Sequence, residues 1–215
     1  MTEMAVNERT WAPGGPHDRE AAWRLVREHT QSESLRTHML AVAASLRLCA
    51  RRYGEDADLW EVLGLLHDMD YEENPDLHQH ALVGPRMLRE LGWPEVICRA
   101  IESHNDAHGI PRQTLTEHAL YACDEISGFV YAVALVKGRD IGQVEVGSVK
   151  KKLKDKSFAR NVSREDVERG FAELPPLGPD PGGISGPVDP DAHIAMVIEA
   201  LRGSADELGL VNSAR

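Results

Sequence analysis

The chain has 215 residues, 42% of them hydrophobic, which is enough for one sizeable domain with its own core. Its 35 acidic residues outnumber 24 basic ones, and the formal net charge of -11 excludes a general DNA- or RNA-binding surface. A small phosphorylated substrate stays open, because a bound metal ion reverses the field around it. Residues 1–17 carry acids, Gly and Pro but no apolar core, and read as a flexible arm, not a secretory signal. No run approaches membrane-spanning length.

Helices are expected in series from there. Asp18 to His29 is the first. Ser32 to Arg52 is the second, with Leu35, Met39, Val42, Leu46 and Cys49 at three- and four-residue spacing. Asp56 to Asp68 is the third. Asn74-Pro75-Asp76 opens a loop, and a fourth helix runs from His78 to Leu91, stopped by Gly92. Pro94 suits the first turn of a fifth, reaching His104. Thr114 and Glu117 have capping-box spacing and open a sixth to Val136, whose second half is apolar nearly all round. Shorter helices follow at Val146 to Lys154 and Ser163 to Glu173. Residues 174–190, dense in Pro and Gly, read as a linker, and 191–215 as a last helix and tail. No strand series or repeat is visible, so the chain reads as all-α: one helical domain over 18–173 with a short C-terminal helical appendage.

Cys49, Cys98 and Cys123 are sparse, odd in number and each within a predicted helix. That pattern suits reduced core thiols in a cytoplasmic protein.

The pair His67-Asp68 closes the apolar run Leu63-Gly64-Leu65-Leu66. An ionised Asp is costly to bury unless its charge is compensated. A divalent metal does so, and imidazole is its commonest protein ligand. His38, His80, His104 and Asp124 likewise occupy places where the periodicity expects core. Each alone has a bland explanation, a hydrogen-bonded core histidine or a paired Asp. Five helical segments each burying a ligand-type residue point to one shared metal site.

His38, then His67-Asp68, then Asp124 match the ordered H…HD…D pattern of the HD-domain superfamily, which the chain resembles over about Ser34 to Val136. His80-Ala81-Leu82-Val83-Gly84 is similar to the H-x-x-x-G element of binuclear members, and His104 to their further histidine. The stretch Ser148 to Phe158 is similar to a bacterial subgroup of predicted HD hydrolases. The resemblance implies an all-helical bundle and a metal-dependent phosphohydrolase. It also implies two divalent ions, with Asp68 as the bridge. His38, His67 and Asp124 would complete one site, and His80 and His104 the other. Imidazole and carboxylate suit Fe, Mn, Ni, Co or Zn, and the absence of Cys from the set speaks against a structural zinc site.

Around this set, Asp70 is a candidate to orient a metal-bound water or a ligand histidine. Arg36, two residues before His38, is a candidate for a substrate phosphate. The basic run Lys150, Lys151, Lys152, Lys154, Lys156 reads either as a solvated helix face or as an anion-binding lid. On the second reading Lys150, Lys151 and Arg164 are the candidate substrate contacts. His78 competes with His80, and the H-x-x-x-G match selects His80. His17, His29, His108, His118 and His193 carry no such support. The leading function is hydrolysis of a small phosphorylated metabolite or nucleotide by a metal-activated water. Two alternatives share the ligands: a mixed-valent di-iron oxygenase cleaving a C–C or C–P bond, and a non-catalytic ligand sensor. A homo-oligomer is compatible with all three.

Overall fold

The computed structural model describes residues 11, 15–179 and 186–211, so most of the expected N-terminal arm and the middle of the expected linker lie outside the described residues. Nine α-helices and no strand occur among them: α1 (Arg19–His29), α2 (Glu33–Tyr53), α3 (Ala57–Leu66), α4 (Val83–Glu90), α5 (Glu95–His104), α6 (Leu115–Val136), α7 (Val146–Leu153), α8 (Arg164–Glu173) and α9 (Pro190–Gly203). The starts follow from side-chain caps. Asp18, Ser32, Asp56, Thr114, Ser163 and Asp189 each accept a backbone N–H of the first turn. Thr114 and Glu117 close the expected capping box.

Two helices organise the core. α2 packs on α3, α6 and α9, and α6 packs on α2, α3, α5, α7, α8 and α9. Gly64 sets the closest crossing. A methyl group there would stand 2.5 Å from Ala43 Cα, so only glycine lets α3 lie this close to α2. This proximity carries the end of α3, and with it His67-Asp68, toward His38.

Three expectations are corrected by the packing. α6 has the length and mean hydropathy, 1.5 over its most apolar window, of a membrane-spanning helix. Here those apolar faces are covered by six other helices, so α6 is a core helix. α9 is not a separate appendage, because Ile194, Val197 and Leu201 are buried against the same core as α2 and α6. α4 begins at Val83, not His78. Ala81 adopts φ +68°, a left-handed conformation that a helix cannot contain, so His80 lies in a turn before α4. The three cysteines are free and buried.

Candidate metal centre

A helix leaves its last carbonyls without intrahelical partners. α3 and α5 each give one of theirs to a histidine. His67, just past the end of α3, has Nδ1 2.8 Å from the Gly64 carbonyl, and His104, the last residue of α5, has Nδ1 2.6 Å from the Ile101 carbonyl. His80 uses a carboxylate instead, with Nδ1 2.9 Å from Asp70 Oδ1. Carbonyl and carboxylate oxygens only accept, so Nδ1 carries the proton on each neutral ring and Nε2 presents its lone pair inward.

These Nε2 atoms converge on Asp68. Its Oδ1 is 3.3 Å from His80 Nε2 and 3.5 Å from both His67 and His104 Nε2, and its Oδ2 is 3.6 Å from His38 Nε2. Asp124, from the middle of α6, brings Oδ1 to 2.9 Å from His38 Nε2 and 3.3 Å from His67 Nε2. His38 and His67 face each other Nε2 to Nε2 at 3.3 Å. Gly128, one turn beyond Asp124, leaves room for the His38 ring, since a methyl group there would lie 3.3 Å from Nδ1. The donors form two triads, His38–His67–Asp68 and Asp68–His80–His104, and within each the ligand atoms lie within 4.8 Å of one another.

The donor set fits divalent cations. Among the described residues neither Asp68 nor Asp124 has a Lys or Arg partner, so only imidazoles stand against two largely buried carboxylates. Without an ion, protons take that place. Burial alone would lower the His67 pKa, but Asp68 and Asp124 outweigh it and push it up to about 9. His80 reaches about 9 in the same way, burial being outweighed by its hydrogen bonds to Asp68 and Asp70. Burial opposes ionisation of Asp68 and Asp124 too. Their histidine neighbours, His67 first, still hold both carboxyls below the usual carboxylate range. The cluster has an open side. The His38, Asp124 and Asp68 side chains are 24%, 19% and 14% exposed, while His67 is fully covered.

Comparison with known proteins agrees with this geometry. The HD domain family model matches residues 35–128, a span that contains all six donors. Over that span the chain is similar to HD domains. It is also similar to the uncharacterized protein MJ0778 of Methanocaldococcus jannaschii, 33% identical over 94 residues that cover 41% of this chain and 54% of that protein. The chain therefore spans about half the length of this curated relative. No solved structure matches.

Within the matched span, Asp70 has a defined place. It is 2% exposed, and while Oδ1 takes His80, Oδ2 accepts the Gly84 backbone N–H at 2.7 Å. This explains the H-x-x-x-G spacing physically. His80 and Gly84 bind the two oxygens of one carboxylate, and a methyl group at Gly84 would press on that carboxylate at 3.2 Å. His78 is exposed and outside the cluster.

Other expected contacts are engaged elsewhere. Arg36 donates to the Thr30 carbonyl at 2.6 Å and the Arg27 carbonyl at 3.1 Å, closing the C-terminal end of α1 instead of facing a substrate. Arg164 gives its terminal nitrogens to the carbonyls of Asp155, Phe158, Ala159 and Val162, which fixes the turn between α7 and α8. Lys150 pairs with Asp191 at 2.6 Å, and Lys151 is exposed on α7. None of these four belongs to the metal cluster.

Three residues that sequence reading passed over bear on the site. Asn105 Nδ2 and His108 Nε2 both reach the His80 carbonyl, at 3.2 and 2.6 Å, and hold the turn that presents His80. Nothing local signals that contact. Glu125 follows Asp124 on α6 and accepts the Ser163 backbone N–H at 3.2 Å. Burial first, then the Asp124 charge, pushes its carboxyl up to about 8. Two consecutive acids inside an apolar helix were the available clue.

Proposed function

We propose that the chain is a metal-dependent phosphohydrolase acting on a small phosphorylated metabolite or nucleotide. The observation that carries the reading is the position of Asp68, one carboxylate shared by two triads of donors. His38, His67, Asp68 and Asp124 would hold one divalent ion, and Asp68, His80 and His104 a second, drawn from Fe, Mn, Ni, Co or Zn. Bound there, the ions supply a water made nucleophilic at neutral pH and neutralise charge on phosphoryl oxygens.

The chain's own residues do the rest. The Gly64 and Ile101 carbonyls and the Asp70 carboxylate stop the three rings from turning, so the donors need no reorganisation as charge develops. The exposed edge of His38, Asp124 and Asp68 admits the phosphoryl group. Tyr71, 39% exposed and edge-on to His80 at 4.9 Å, gives the mouth an aromatic wall for the organic part of a substrate.

The test is metal analysis of anaerobically purified protein, followed by a panel of phosphomonoesters and nucleotides with and without oxygen. Metal-dependent phosphate release without oxygen supports the reading. Iron content with oxygen consumption, a cleaved C–C or C–P bond and no oxygen-independent phosphate release would overturn it.

A further inference from the structure

A pocket of about 620 Å³, the size of a small-molecule site, lies between α7, the turn after it, α8 and the start of α9. None of the six metal donors lines it. Its apolar lining includes Val167, Phe171 and Ile194, the last only 1% exposed, together with Leu153 and Val162. Five cationic residues surround this floor, Lys150, Lys154, Lys156, Arg160 and Arg164, against one acid, Glu168. In a chain of net charge -11 that balance is inverted.

The neighbouring cations show that the fold supplies acids where it pairs lysines. Lys150 meets Asp191 at 2.6 Å and Lys152 meets Asp155 at 3.7 Å. Lys154, Lys156 and Arg160 have no carboxylate within 4.0 Å among the described residues. Like charges collected around one apolar hollow repel one another unless an anion joins them. Apolar walls with a few converging charged groups describe a site for a molecule that has both parts.

We propose that this pocket binds an organic anion, a phosphate or carboxylate head on an apolar body, as a ligand separate from the metal centre. The head lies among Lys154, Lys156 and Arg160, and the body covers Val167, Phe171 and Ile194. The proposal does not depend on the reaction at the metals.

The experiment is calorimetric titration of the full, metal-loaded chain with octyl phosphate, octanoate, octanol and inorganic phosphate. The expected result is that octyl phosphate, octanoate or both bind at least tenfold tighter than octanol or inorganic phosphate. The variant Lys154→Glu/Arg160→Glu, which alters exposed side chains only, should lose at least tenfold in that affinity with metal content unchanged. Equal affinity for octanol would overturn the proposal, because the cations would then be idle. So would binding that survives Lys154→Glu/Arg160→Glu but disappears in Asp68→Ala, because the anion would then sit on the metal centre.

Discussion

Asp70→Asn separates a histidine that is merely near a metal from one that is aimed at it. The buried Asp70 carboxylate serves two donors, His80 Nδ1 at 2.9 Å and the Gly84 N–H at 2.7 Å. An amide has nearly the same shape but one oxygen, so it satisfies one donor and turns its NH2 toward the other. It also removes the negative charge that strengthens His80 as a ligand. Loss of such an outer partner costs about 10–100-fold in metal affinity, or about 1.4–2.7 kcal/mol. The buried N–H left facing another donor adds about 1–3 kcal/mol of lost fold stability. The assay is calorimetric titration of Mn2+ into metal-free wild-type and Asp70→Asn protein at one pH. The His38–His67 side should keep its affinity, and the His80–His104 side should weaken by the stated factor. Two sites of wild-type affinity, or equal weakening of both, would refute the idea that Asp70 acts through His80 alone.

Other perturbations test the same architecture. His104→Ala should lower the metal content measured by mass spectrometry from two ions to one, and an unchanged content would break the two-ion model. His78→Ala should leave metal content untouched, since His78 is exposed and outside both triads. Gly64→Ala drives a methyl into Ala43 and should cost about 1–3 kcal/mol in urea unfolding; a wild-type midpoint would mean that α2 and α3 separate freely. For pH, His67 and His80 are both raised to about 9 in the metal-free protein. Their contribution to stability is therefore complete below the ordinary value of 6.5 and lost as pH rises through 9. Asp68 and Asp124 are lowered, so their contribution is present above the ordinary value of 3.8 and lost in acid. The melting temperature of metal-free protein should fall from pH 6.5 to 9, and metal affinity should rise over that window as bound protons are released. A flat melting profile there would contradict the assignment.

The helices were legible because their apolar spacing and caps are local, and apart from the start of α4 the nine among the described residues fall close to the expected segments. The clustering of His38, His67, Asp68, His80, His104 and Asp124 was legible for a related reason. A histidine or aspartate in an apolar run has no cheap place to go, and six such residues meet. What the sequence hid depends on contacts between distant segments. The turn around His80 is shaped by Ala81 and held by Asn105 and His108, which local periodicity reads as the start of a helix. Arg36 and Arg164 looked like phosphate ligands by charge, yet free backbone carbonyls claim them. The helix propensity of residues 190–203 was visible, but not that α9 packs onto α2.

The stretch from Asp68 to Leu82 has turns but no regular helix, and it carries Asp68, Asp70 and His80 while residues 75–79 are exposed. An ion held by Asp68 and His80 would be a cross-link that closes a short loop of chain, doing for this segment what a disulfide does elsewhere by removing the freedom of the open state. With an ion in place, the stretch would be tied at both ends. Without such an ion, the stretch that carries three residues of the candidate site would be an exposed, untied loop.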